Sequence, residues 1–154
     1  MLIVLDPAGA EGDLRASEIC CPSCTSGRLR PWGYARTRVL RGLRGARVSV
    51  RPRRARCRSC TATHVLLPAE VAPRRADTVE VVVTALLAHH AGSGYRAIAA
   101  DLHVPADTVR SWLRRITGRA ECLRQTATVW AYERDPMLPP ILPTGSLLGD
   151  ALQA

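Results

Sequence analysis

The sequence predicts an α+β chain: a small antiparallel sheet, then an all-α trihelical domain and a C-terminal helical tail. Three observations carry this. Two Cys-x-x-Cys pairs bracket a stretch of short β-branched runs, the hydrophobic period changes from 2 to 3.6 near Thr78, and glycine or proline closes each periodic segment. At 154 residues the chain is one medium domain or two small ones, so a large multidomain enzyme is excluded. The longest apolar segment, Val79 to Ala91, is interrupted by Glu80, His89 and His90, and the start MLIVL lacks a basic leader. The expectation is a cytoplasmic protein with no membrane partner.

Residues 1–18 are expected to form a strand at Leu2 to Leu5 followed by a turn-rich polar loop, DPAGAEGD. Residues 19–70 hold five of the six cysteines. Their runs Arg36 to Leu40, Arg47 to Val50 and Thr63 to Leu67 predict strands, with Gly42 and Gly45 marking a turn between the first two. VAPRRAD, residues 71–77, reads as a linker. Within 78–117 a first helix places Val79, Val82, Val83, Leu86, Leu87 and His90 on one face and stops at Ala91-Gly92-Ser93-Gly94. Two shorter helices follow at about 95–102 and 106–117. Residues 118–154 give a helix over about 119–134, the breaker MLPPILPTG, and an amphipathic segment TGSLLGDALQA. That last helix reads either as a domain cut short or as a docking or dimerisation element, which leaves a homodimer open.

Charge is strongly segregated along the chain. All 22 basic residues are arginine, which fits a GC-rich coding bias, but their placement is uneven. Twelve lie between Ile19 and Ala69 (28, 30, 36, 38, 41, 44, 47, 51, 53, 54, 56 and 58), where there is no carboxylate. The other ten face all 13 acids, so the rest of the chain is net −3. Like charges crowded without counter-charges point to a polyanionic partner.

Cys21-Pro22-Ser23-Cys24 and Cys57-Arg58-Ser59-Cys60 are separated by 32 residues. Each pair forms a tight knuckle whose thiolates point the same way, and two facing knuckles complete a four-thiolate shell for structural Zn2+. With every position filled by protein, no water-bearing site remains for Lewis-acid chemistry. A thioredoxin-like redox role would need one such pair at a strand-to-helix junction, which neither shows. Cys20 offers an alternative frame with Cys24, but the frame with proline after the first ligand is the commoner knuckle. His64, four residues past Cys60, could replace a thiolate, but with four cysteines available it is expected to be a strand residue. Cys122 is expected to be a small buried apolar group, and His89-His90 a helix end. Trp32 and Tyr34 either stack on bases or pack the small sheet.

The 20 residues Tyr95 to Arg114 fit the helix-turn-helix pattern. Ile98, Leu102, Val104, Val109 and Trp112 occupy its apolar positions and Ala99 the small crossing position. His103 stands where the pattern has glycine, and histidine tolerates left-handed backbone better than a β-branched residue does. The second helix then presents Ala106, Asp107, Arg110, Ser111 and Arg114 outward, with Asp107 suited to the helix N-terminus. Arg110 and Arg114 are placed to reach guanine edges, and Arg96, Thr108 and Arg115 to hold phosphates. On the ribbon, Arg51, Arg53 and Arg54 are candidate contacts to the DNA backbone.

Taken together, CPSC, CRSC with TATHVLLP, and YRAIAADLHVPADTVRSWLRR resemble the N-terminal part of insertion-sequence transposases and related helix-turn-helix proteins of high-GC bacteria. The resemblance covers about residues 19–117. It implies a zinc-binding ribbon and a helix-turn-helix that bind the terminal DNA of the element. The RNase H-like domain of that family cuts DNA with three carboxylates. Here Glu121, Glu133, Asp135 and Asp150 lie on a helix and a tail, without a strand-borne triad. The expectation is a nucleoid-associated, non-enzymatic binder of double-stranded DNA. Two alternatives are part of an active transposase and a zinc-stapled RNA or protein adaptor.

Overall fold

The computed structural model describes residues 1–153 and is α+β. It divides into two compact units, Met1–Glu80 and the chain from Val81 onward. Among the described residues no helix is long and apolar enough to cross a membrane.

The first unit opens with strand β1 (Leu2–Val4) and helix α1 (Pro7–Ala16). The expected polar loop at DPAGAEGD is therefore a helix. Asp6 is its N-cap, accepting from the Ala8 N–H at 2.9 Å, and Pro7 supplies a preset first helical residue without an N–H. A Cβ at Gly9 would lie only 2.5 Å from Asp6 Oδ2, so a larger residue there would push the cap side chain aside. Ser17, left-handed at φ 59°, ends the helix, and the Glu18 N–H returns to Asp13 O at 2.8 Å. Leu14 and Ala10 carry the buried side.

Five further strands follow: β2 (Leu29–Tyr34), β3 (Arg38–Arg41), β4 (Arg47–Val50), β5 (Arg53–Cys57) and β6 (Thr63–Pro68). The main sheet runs β1-β6-β5-β2: the pairings within residues 19–70 are antiparallel, as expected, and β1 joins β6 in parallel with Leu2 opposite Leu66, which makes the whole sheet mixed. β3 and β4 form a separate hairpin around a turn at Leu43–Gly45, where Arg44 and Gly45 have φ 54° and 74°. Alternation along the sheet buries Leu29, Ala55, Cys57 and Leu66 with Leu14, Ala10 and Cys21. A smaller cluster, Leu40, Leu67 and Val71 with Val50, ties the hairpin to the end of β6.

The basic stretch is partly neutralised from outside itself. Glu11 on α1 receives Arg53 Nε at 2.7 Å, and Asp77, only 2% exposed, receives Arg41 Nε at 2.7 Å. Asp77→Ala is expected to destabilise the first unit by about 1–3 kcal/mol, since it strands a half-exposed guanidinium and opens a buried site. A urea denaturation midpoint unchanged from wild type would contradict this.

The second unit takes most of α2 (Val79–His90), then α3 (Tyr95–Leu102), α4 (Ala106–Thr117), α5 (Ala120–Arg134) and α6 (Leu147–Gln153). In α2 the buried residues are Val81, Ala85 and Leu86, while Val83 and Leu87 are exposed, so the buried face is rotated from the expected one. With a valine at four of the first five positions, more than one face satisfied the helical period. Cys122, expected to be buried, is exposed on α5.

Candidate metal centre and cationic faces

Each Cys-x-x-Cys segment sits where the sheet brings a strand end to a loop. Cys21–Cys24 lies between α1 and β2, and Cys57–Cys60 lies between β5 and β6. The β2–β5 register sets Leu29 opposite Cys57, and the Arg58 N–H reaches Arg28 O at 3.1 Å, joining the two loops. The loops are built alike. The Cys21 N–H bonds Gly27 O at 2.8 Å and the Cys57 N–H bonds Ala62 O at 2.9 Å. Thr25 and Thr61, each directly after the second cysteine, are left-handed at φ 56° and 61°.

The four sulfurs lie within 4.8 Å of one another. Cys21 to Cys60 and Cys24 to Cys57 are both 3.7 Å. That is far from a disulfide bond of about 2.05 Å. A tetrahedral ion with bonds of about 2.3 Å sets its sulfurs about 3.8 Å apart, so the cluster is compatible with a structural metal site. Backbone N–H groups of Ser59 and Cys60 point at Cys57 Sγ at 3.3 and 3.5 Å, and Ser23 N–H at Cys21 Sγ at 3.4 Å. The Cys60 N–H above all, with that of Ser59, holds the Cys57 thiol down to about 6 against the effect of burial. The Gly27 N–H lowers that of Cys24. Cys60 is pushed up to about 11 by burial and by its three sulfur neighbours, in spite of the Ala62 N–H. Four thiolates this close need a cation to ionise together.

Gly27 lies against this cluster: a Cβ there would collide with Cys57 Sγ and meet Ser59 Oγ and Cys24 Sγ at 2.9 and 3.0 Å. His64 is a strand residue, as expected, but it also touches the cluster. Its Nε2 is 3.5 Å from Cys21 Sγ, it is buried, and burial holds its imidazole below the ordinary value. Its spacing from Cys60 marks it as a candidate substitute ligand, and the pairing of Ala55 with His64 across the sheet is what brings it to Cys21. Cys20 stays outside and takes Arg28 Nη1 at 3.0 Å.

Trp32 and Tyr34 are both exposed and ringed by guanidiniums, so neither is a core residue. Arg56 and Arg30 lie 4.7 and 5.6 Å from the Trp32 ring, Arg53 and Arg51 4.6 and 5.1 Å from that of Tyr34. Among the candidate DNA contacts of this unit, Arg51 is exposed and Arg54 half-buried. Arg53 is engaged elsewhere, bonded to both oxygens of Glu11 and to Gly33 O, so it is not free for phosphate.

In the second unit α3 packs on α4 through a turn at His103, left-handed at φ 55° and ψ 41°. The His103 N–H returns to Ala100 O at 3.2 Å and the Val104 N–H to Ala99 O at 3.0 Å. Ile98, Ala99, Val104, Val109, Trp112 and Leu113 are buried. On α4, Asp107, Arg110, Arg114 and Arg115 are exposed and Thr108 and Ser111 half-buried; on α3, Arg96 is exposed.

The fold and cluster define a small α+β protein with a four-cysteine site suited to a structural metal. The chain belongs to the family described as a domain of unknown function, DUF6431, which matches residues 21–112, more than half its length. The match runs from the first cysteine of the cluster to Trp112, so it takes in the cysteine site, α3 and the first half of α4, and stops short of Arg114 and Arg115. Comparison with curated proteins and with solved structures gives no match.

Proposed function

We propose that this protein binds double-stranded DNA through a helix-turn-helix at Tyr95–Arg114, alongside a zinc ribbon built on Cys21, Cys24, Cys57 and Cys60. The observation that carries the reading is the α3–α4 arrangement. A left-handed residue joins two packed helices, and the second buries Val109, Trp112 and Leu113 while holding Arg110 and Arg114 in solvent one turn apart. Such a helix fits the major groove, with its guanidiniums aimed at guanine edges and Arg96, Thr108 and Arg115 near the backbone. Asp107 in the first turn favours the helix N-terminus, and Ser111 lies between the two arginines. In the first unit Arg51 and Arg54 supply phosphate contacts; roughly six neutralised phosphates in all give a salt slope of about −5.

Zinc fits the all-sulfur donor set and supplies no catalysis there, since it fastens two loops and leaves no open position. The overall reading is of a DNA-targeting module like that of insertion-sequence transposases. Titration of duplexes selected from a random pool, at several salt concentrations, tests it. A salt slope near zero, or no enriched sequence, would sink it.

Gly27→Ala is expected to weaken metal retention at least tenfold in competition with a chelator, because the added methyl displaces the sulfurs. Gly12→Ala is the control, as nothing lies within 4 Å of its Cβ position. Equal retention by both variants would show that Gly27 does not shape the site.

A further inference from the structure

The main sheet turns Leu29, Ala55, Cys57 and Leu66 toward α1, all buried. Strand alternation therefore sends Arg30, Trp32, Arg54 and Arg56 to the opposite face. Arg30 and Arg56 are direct cross-strand partners, a like-charged pairing that is normally unfavourable. Their neighbours across β6, Thr63 beside Arg56 and Val65 beside Arg54, bring no negative charge. Both guanidiniums lean on the Trp32 indole, which keeps 42% of its surface exposed. Tyr34 is set apart from this patch. The register slips between Pro31 and Tyr34, where Gly33 has φ 72°, and Tyr34 then pairs with Arg53. Arg53 is neutralised by Glu11 of α1. One aromatic ring is thus left exposed among three arginines, on a sheet face whose other end, at Leu67, is covered by the β3–β4 hairpin.

We propose that this face binds an unpaired nucleotide of single-stranded DNA, with the base stacked on Trp32 and its flanking phosphates taken by Arg30, Arg54 and Arg56. A base offers its π-face only outside a duplex, where neighbouring pairs do not cover it, so an exposed indole selects unpaired strands. Arg30 swings from the ring to phosphate when the base arrives, and Arg56, held through Nε to Thr61 O at 3.2 Å, offers its two terminal nitrogens. Their repulsion across the strands is relieved by the same anion. The inference rests on the DNA-binding reading only for the identity of the polymer. Of its residues only Arg54 is shared with the duplex reading, and Trp32, Arg30 and Arg56 are separate from Arg110 and Arg114.

Fluorescence anisotropy of a labelled short oligothymidylate, with zinc-loaded full-length protein, tests this. Trp32→Ala is expected to lose about 5- to 150-fold in affinity for the single strand while duplex affinity changes less than about twofold. Trp32→Phe, which keeps a ring, should restore most of it. Arg56→Ala should flatten the salt slope by about 0.7, the contribution of one phosphate on a single strand. Undiminished oligothymidylate binding by Trp32→Ala, at normal metal content, overturns the proposal, and so does an equal loss for single strand and duplex. Trp32→Phe guards against a folding defect: binding as weak as that of Trp32→Ala, in a protein of normal metal content, also overturns stacking. The Arg110→Ala/Arg114→Ala protein separates the two readings. It should keep oligothymidylate binding even where the duplex reading fails.

Discussion

Cys57→Ser is expected to abolish stoichiometric zinc binding and to unfold most of the first unit. Wild type should bind one equivalent per chain. Structural zinc sites contribute apparent binding energies of about 10–16 kcal/mol, more than the usual stability of a small domain. Here the dependence is direct, because Cys21 and Cys57 are themselves core residues beside Leu14, Leu29, Ala55 and Leu66. A serine would lose the ligand and place a hydroxyl in that core. Backbone amide exchange should show β2, β5 and β6 losing protection while α3 and α4 keep theirs. The pH dependence has a defined sign. Cys60, pushed up to about 11, must release a proton to ligate, and Cys57, held near 6, is ionised at neutral pH until protons compete. Affinity should therefore rise with pH through the neutral range and fall more steeply once acidification passes about 6. Well under one equivalent of metal, or an unchanged unfolding transition in Cys57→Ser, would remove the zinc site from the account.

Arg110→Ala combined with Arg114→Ala is expected to lower affinity for the preferred duplex by about 2–6 kcal/mol, thirtyfold or far more, and to erase base preference. Each bidentate arginine–guanine contact discriminates by about 1–3 kcal/mol. Neither side chain is buried, so the variant should fold normally and the loss is readable as recognition alone. Arg115→Ala should act differently, weakening all sequences alike and reducing the salt slope by about 0.9. If the double variant matches wild type in affinity and preference, α4 is not the reading helix.

Elements with a single strong period were legible in the sequence. α3 and α4 run where their apolar spacing and flanking Gly94 and Pro105 place them, and β4 matches its β-branched run. α1 was missed because two glycines masked a sound start, Asp6 before Pro7. β2 and β5 were missed for another reason. In β5, Ala55 and Cys57 are small or already assigned to metal and arginines fill the other positions; in β2, Pro31 and Gly33 interrupt the run after a single leucine. The four cysteines could be named from spacing because a metal shell needs only local knuckles. The closeness of His64 to Cys21, and the pairing of Arg53 with Glu11, depend on strand register and on a helix whose formation was not foreseen.

The β3–β4 hairpin is an excursion from the path between β2 and β5, and its neck is closed by the Ala35 N–H bonding Pro52 O at 2.8 Å. Doubling the length of a closed loop costs only about 0.6 kcal/mol in chain entropy. The stretch between the two cysteine pairs is therefore an adjustable arm. Residues can be added at its tip, Leu43–Gly45, without changing the register that gathers the sulfurs, whereas shortening past Leu40 removes the side chain that anchors the arm to Leu67 and Val71. Arms of different reach can be fitted to one cysteine scaffold.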